Sequence, residues 1–185
     1  MKRKPGEAMR KFLIALALLA PALASWDAQA ASVTIVALGA SNTYGKGRGA
    51  HPGGVVQSQA YPAQLQALLK AKGIDARVIN AGVPGDTTGG MLARLNSAVP
   101  SGTRIVILQT GGNDARRGLG GEAAGNTAQI TSKLRERGIQ VILLDRIGAY
   151  APASTRDPDG QHFNVQGHAA IAARLLPQVT AAIGR

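Results

Sequence analysis

An aspartate and a histidine three residues apart, in Asp159-Gly160-Gln161-His162, can share one turn, so that the carboxylate orients the imidazole from within the same loop. Near the other end of the chain, Gly39-Ala40-Ser41-Asn42 follows the apolar run Val33 to Leu38, which puts Ser41 where a buried strand leaves the core. A serine hydroxyl is a weak nucleophile alone and needs an adjacent base to take its proton. His162 is the candidate base, and later the acid for the leaving group, with Asp159 fixing its tautomer. A tetrahedral intermediate also needs donors aimed at its oxyanion. The candidates are the backbone N–H groups of Ser41 and Gly85 and the side-chain amide of Asn113. Gly85 lies in Pro84-Gly85-Asp86-Thr87 and Asn113 in Gly111-Gly112-Asn113-Asp114, and each turn follows a strand-like run.

Each residue alone has an ordinary reading: Ser41 as a helix cap, His162 as a surface histidine, Asn113 as a turn residue. Their joint placement at strand ends is what points to a hydrolase. Asp157, on the other side of Pro158, rivals Asp159 as the orienting carboxylate, and the three-residue spacing favours Asp159. His168 falls on the last helical pattern and His51 in a Gly- and Pro-rich loop. Both are read as structural or solvent-exposed.

The elements that must position these groups alternate along the chain. Val33 to Leu38 is a short continuous apolar run, as expected of a strand buried on both faces. Gly45 to Gly54 reads as a loop. Pro62 suits the first turn of a helix that runs through Leu65, Leu68 and Leu69 to Gly73. Arg77 to Asn80 is a second strand, and Thr87 or Thr88 caps a helix carrying Met91, Leu92 and Leu95, ended by Pro100. Arg104 to Gln109 is a third strand, Gln129 to Arg137 a helix closed by Gly138, and Ile139 to Leu144 a fourth strand. Asn164 caps the last helix, whose buried side holds Val165, Ala169, Ile171, Ala172, Leu175 and Leu176. This order implies a parallel sheet covered by helices on both faces, with functional groups at the carboxyl ends of the strands.

Composition narrows the setting. Residues 1–30 read as a secretory signal peptide: a leader with Lys2, Arg3, Lys4, Arg10 and Lys11, the apolar run Phe12 to Ala20, and small-x-small sites ending at Ala24 and Ala30. Cleavage after Ala30 leaves 31–185 as one domain, and an exported, periplasmic or secreted bacterial protein. Phe12 to Ala24 is too short to span a bilayer comfortably, and no later stretch is long enough to cross one, so the mature form has no stable membrane span. The chain has no cysteine, which excludes disulfides, thiolate metal sites and a cysteine nucleophile. From residue 31 onward, 16 basic against 8 acidic side chains give +8. The arginines are scattered and aromatic residues for base stacking are few, which argues against nucleic acid and for a solvated basic surface. Phosphate-binding patterns fail on spacing: five residues separate Gly39 from Gly45, and Gly47 stands where a Ser or Thr is needed after Lys46. The three histidines are dispersed, with no ligand pair at helical spacing. Neither a metal nor a cofactor is expected.

The four motifs together resemble those of the SGNH/GDSL hydrolase family, and more narrowly the small secreted bacterial arylesterases and thioesterase/lysophospholipases. Gly39-Ala40-Ser41 matches its Gly-Asp-Ser block, Asn80 through Thr87 the block centred on an oxyanion-hole glycine, Gly111 to Asp114 its Gly-x-Asn-Asp block, and Asp159 to His162 its Asp-x-x-His block. The resemblance assigns the glycine role to Gly85, with Gly82 as the alternative. It implies a three-layer α/β/α, flavodoxin-like fold and metal-free hydrolysis of carboxylic esters or thioesters through an acyl-enzyme. Substrates would be small acyl esters or lysophospholipids; alternatives are O-acetyl groups of glycan or peptidoglycan, or a catalytically silent glycan- or lipid-binding module. Two departures stand out. Ala40 replaces the usual acidic residue beside the nucleophile, and only Arg146 to Pro158 separates the fourth strand from Asp159. That short connection implies a sheet trimmed to about four strands, an open cleft and a preference for short acyl groups.

Overall fold

Four apolar runs of the chain become the strands of its main sheet, and helices lie between them in sequence. A computed structural model describes residues 32–184. The leader assigned to residues 1–30 lies outside the described residues. Strand β1 (Val33–Gly39) leads at once into the one-turn helix α1 (Ser41–Tyr44). An antiparallel hairpin follows, β2 (Lys46–Arg48) and β3 (His51–Gly54), and then helix α2 (Tyr61–Ala71) and strand β4 (Ala76–Gly82). Helices α3 (Thr88–Ala93) and α4 (Leu95–Ala98) precede strand β5 (Thr103–Gln109). Helices α5 (Asn113–Arg116) and α6 (Gly120–Glu136), strand β6 (Gln140–Leu144) and helix α7 (Val165–Ile183) complete the order.

Four strands form one parallel sheet in the order β4-β1-β5-β6. Side chains alternate across a strand, and here the alternation feeds two cores. Ile35, Ala37, Ile105 and Ile107 face α2 and α7, where they meet Leu65, Leu69, Ile171 and Leu175. Val36, Leu38, Val106 and Leu108 face the opposite layer, where they meet Met91, Leu95, Ile130 and Leu134. This is the three-layer α/β/α arrangement, with four strands as the short Arg146–Pro158 connection implied; that connection carries only two 3₁₀ turns. Because β4 and β5 flank β1 on opposite sides, the chain leaves β1 in one direction and returns in the other. The crevice at such a switch point is where this class of sheet holds its ligands.

Four local expectations need correction, one of them Val165, which is 43% exposed at the start of α7 and not on its buried side. Gly45 to Gly54 is a hairpin and not a loop, which places His51 in β3. Its strands are rich in Gly and carry little apolar pattern, and they are held by tertiary bonds described below. Helix α6 begins at Gly120, well before Gln129. Its first turns hold Gly120, Gly121, Ala123, Ala124 and Gly125, too small to display an apolar period. The helix expected to run to Pro100 breaks at Arg94 into α3 and α4. The caps are as read, with Thr87 accepting from the Gly90 N–H and Asn164 from the Gly167 N–H.

Candidate active site

Ser41 starts α1 directly beyond the carboxyl end of β1, in a turn shaped by what lies around it. The β1 exit is clamped by Gln109 at the end of β5: its Oε1 accepts the Ala40 N–H at 3.1 Å and the Thr43 hydroxyl at 3.2 Å. Since Thr43 gives its only hydroxyl proton to Gln109, the Tyr61 phenol must be the donor in its 3.2 Å bond to Thr43 Oγ1. Burial pushes that phenol far above its usual range, outweighing the bond to Thr43, so it remains a neutral donor. This chain of bonds, below the position where Ala40 replaces an acid, was not read from the sequence. Its members are 18 to 69 residues apart, and only the sheet brings them together.

The second face of the turn packs on β4. A Cβ at Gly82 would stand 2.1 Å from the Tyr44 backbone nitrogen, so Gly82 is what lets α1 approach the sheet. Its N–H donates to Asn80 Oδ1 at 3.0 Å. Gly82 therefore does not fit the alternative role of oxyanion donor. Gly85, at φ +82, adopts a conformation that favours glycine, and its N–H has no acceptor among the described residues.

His162 and Asp159 sit in a loop closed on itself by the Asp157 N–H to the His162 carbonyl at 2.9 Å and the Gly160 N–H to the Asp157 carbonyl at 2.9 Å. The His162 side chain is buried, and its Nε2 lies 2.8 Å from Ser41 Oγ. Its Nδ1 lies 2.6 Å from Asp159 Oδ2. Burial opposes the charge on Asp159, but the backbone N–H of His162, the His162 ring and the Gln161 N–H outweigh it. They hold the carboxyl well below the usual carboxylate range. An ionised Asp159 accepting from Nδ1–H leaves the Nε2 lone pair directed at Ser41. Asp157 does not touch the ring. It accepts from the Gly54 N–H, while Asp159 Oδ2 also takes the Gly53 N–H at 3.1 Å, so the two carboxylates pin the β2–β3 hairpin to this loop. The Asn42 amide adds a tie from α1 to the Gln161 carbonyl at 3.2 Å.

Asn113 begins α5 and faces the same space. Its Nδ2 donates to the Asp86 carbonyl at 2.6 Å, which commits one amide hydrogen, orients the group and leaves the other hydrogen available. Asp86 in turn pairs with Arg94 at 2.8 Å, and Arg94 also reaches the Gly39 carbonyl at 3.1 Å. The Gly85 turn is thereby tied to the end of β1. Asp114 is buried and accepts from the Thr88 N–H and hydroxyl, linking α5 to α3.

Ser41 and His162 open onto two lobes of one cleft. One, of about 180 Å³, is bounded by Gly85, Asn113, Gly47 and Arg48. The other, of about 360 Å³, runs toward Gln109, Gly111, Asp145 and Arg156. Both linings are chiefly polar. The hairpin does close over Ser41, but it brings Gly47 and Arg48 and no apolar wall. His168, by contrast, is fully buried and structural: Nδ1 accepts the Tyr61 N–H at 3.1 Å, and Nε2 has no partner among the described residues. Burial pushes it down to about 4. Among the described residues, no three His, Asp or Glu side chains are grouped to hold a metal ion.

Known proteins resemble this chain in sequence and in fold. The chain is 39% identical over 93 residues to esterase TesA of Pseudomonas aeruginosa, covering 49% of this chain and 46% of the relative. It is 32% identical over 88 residues to an arylesterase of Vibrio mimicus, covering 46% and 44%. The matched regions thus span about half the length of these curated relatives. Among solved structures, AlinE4, described as an SGNH-hydrolase family esterase, superposes with a TM-score of 0.54 at 32% identity, over 81% of this chain and 73% of that one. The model of the GDSL-like lipase/acylhydrolase family matches residues 37–181, from within β1 to the last turn of α7. The span takes in every element that carries Ser41, Gly85, Asn113, Asp159 and His162, and the chain belongs to this family.

Proposed function

We propose that the protein is a serine esterase that hydrolyses small carboxylic esters or thioesters through an acyl-enzyme. The observation that carries this reading is the contact series from Ser41 Oγ to His162 Nε2 at 2.8 Å and from His162 Nδ1 to Asp159 at 2.6 Å, at the mouth of the cleft. In the first half-reaction His162 takes the Ser41 proton as Oγ attacks the carbonyl carbon. The oxyanion is met by the Ser41 and Gly85 N–H groups and the free Asn113 amide hydrogen. His162 then returns the proton to the departing alkoxide or thiolate as the carbon–leaving-group bond breaks. Water enters, gives its proton to His162, and releases the acid from Ser41 by the same steps in reverse. Asp159 remains ionised and stabilises the imidazolium that forms.

A second reading within the same chemistry is removal of O-acetyl groups from glycan or peptidoglycan. The polar lining of both lobes favours it over lysophospholipid acyl chains. The basic leader, apolar run and Ala28-Gln29-Ala30 site of residues 1–30 support export and cleavage of that segment. Among the described residues no helix is long and apolar enough to cross a membrane.

The test is turnover of p-nitrophenyl butyrate by the purified protein, followed by acetate release from acetylated polysaccharide. Ester turnover abolished in Ser41→Ala supports the first reading, and acetate release the second. A wild-type protein that binds esters or glycans without turning any over would be a silent binding module instead.

A further inference from the structure

The positive charge that looked scattered along the sequence gathers around the cleft. Of the 12 arginines in residues 31–185, five line its two lobes: Arg48, Arg116, Arg117, Arg146 and Arg156. They come from the hairpin, from α5 and the residue after it, and from the connection between β6 and α7. Only the fold brings them to one place.

Three of them converge on the smaller lobe, against the residues assigned to the oxyanion. Arg117 Nη2 donates to the Gly85 carbonyl at 2.6 Å, and Arg116 Nη2 to Asn113 Oδ1 at 2.6 Å. Arg48 Nη2 lies 3.1 Å from the point where a Gly85 Cβ would stand, and Arg117 Nη2 lies 3.4 Å from that point. The lobe holds about 180 Å³ and is lined, among the described residues, by these three guanidinium groups and by no carboxylate. Asp145, the acidic residue of the cleft, borders the other lobe with Arg146 and Arg156. None of the five arginines forms an ion pair with a carboxylate among the described residues, where the pairs are Arg94–Asp86 and His162–Asp159. Like charges held this close repel one another, and an anion between them removes that repulsion while gaining planar, two-pronged hydrogen bonds.

We propose that the substrate is an ester or thioester carrying an anionic group, a carboxylate or a phosphate, a few bonds from the scissile carbonyl. Arg48, Arg116 and Arg117 hold that group in the lobe beside Gly85. The proposal rests on the esterase reading above and adds the charge of the substrate to it. The positive field also favours the oxyanion formed from any ester, so absolute rates do not test the idea. The ratio between an anionic ester and its neutral counterpart does.

The experiment measures kcat/KM for matched substrates at low and high salt. Phenyl acetate is compared with 4-acetoxybenzoate and with 4-acetoxyphenyl phosphate, which place a carboxylate or a phosphate in the leaving group. p-Nitrophenyl pentanoate is compared with the p-nitrophenyl monoester of glutaric acid, which places a carboxylate in the acyl group. At least one anionic member should be preferred by about tenfold or more, the order expected when three exposed guanidinium groups act together on one anion, and the preference should shrink with salt. Whichever comparison shows the preference identifies the anion and its side of the ester. In Arg48→Gln the preference should fall several-fold, because that guanidinium has no hydrogen-bond or ion-pair partner among the described residues. In Arg77→Gln, which removes a charge from β4 and not from the cleft, the ratio should be unchanged. Neutral esters turned over as well as or better than every anionic partner would overturn this proposal and leave the esterase reading standing. So would a preference that falls equally in Arg77→Gln. No turnover of any ester would overturn both.

Discussion

Acid should weaken the fold through His168 before it reaches any other group known to be shifted here. The ring is fully buried between Tyr61 and Phe163, and its Nδ1 accepts the Tyr61 N–H, so the neutral form is the one the fold holds. Burial lowers it to about 4, with the Gly45 backbone and Asp157 opposing the shift and the nearby His162 adding to it. An unfolded histidine titrates near ~6.5. Between these values the unfolded chain binds the proton and the folded one does not, so stability is full above ~6.5 and is lost as the pH falls toward 4. The linkage relation gives a loss of about 2 kcal/mol by pH 5 and about 3 kcal/mol by pH 4. For a domain of this size the larger figure corresponds to a Tm lower by roughly 6–12 °C. The depressed Asp159 contributes stability that is present above the ordinary carboxylate range and lost only below it, outside this window. Urea unfolding at pH 7, 6, 5 and 4 measures the effect. His168→Gln keeps an acceptor for Tyr61 but does not titrate, and its profile should be flatter by the same amount. A wild-type profile that is flat from pH 7 to 4, or a slope unchanged in His168→Gln, would refute the reasoning.

Three further outcomes are expected. Gln109→Leu strands the buried Ala40 N–H and Thr43 hydroxyl, which should cost roughly 1–3 kcal/mol in urea unfolding and lower kcat more than it raises KM; unchanged stability would mean that the clamp is replaceable. Asp159→Asn should reduce kcat by on the order of 10³–10⁴ through the wrong His162 tautomer, whereas Asp157→Asn, which touches the hairpin and not the ring, should keep most of the activity; equal losses would break that division. Across a p-nitrophenyl ester series kept below micelle-forming concentrations, chains of roughly two to six carbons should give the highest kcat/KM, because each methylene without an apolar contact forgoes about 0.8 kcal/mol; a steady rise to twelve carbons would show a deep apolar site.

The sheet was legible because strands buried on both faces read as unbroken apolar runs such as Val33 to Leu38 and Ile105 to Leu108. The helices α2 and α7 were legible through Pro62, Gly73 and the Asn164 cap. The groups at the strand ends stood out because Ser41, Gly85 and Asn113 each follow such a run within a few residues, and Asp159 and His162 stood out through their three-residue spacing. What stayed hidden depends on contacts between distant residues. The hairpin is fastened by Asp157 and Asp159 more than 100 residues away, and its own glycines carry no pattern. The Gln109 clamp joins the carboxyl ends of the two central strands, and nothing in the local sequence marks it. The arginines around the cleft are separated by up to 108 positions in the chain, from Arg48 to Arg156, so their convergence is a property of topology alone.

The most direct test of the central claim is covalent. A fluorophosphonate probe reacts preferentially with a serine whose proton is drawn off by a neighbouring base, and intact-protein and peptide mass spectrometry locates the adduct. A single adduct on the peptide containing Ser41 is expected, absent in Ser41→Ala and much slower to form in His162→Ala. An adduct that persists in Ser41→Ala, or that forms on another residue of the wild-type protein, would contradict the assignment of Ser41 as the nucleophile.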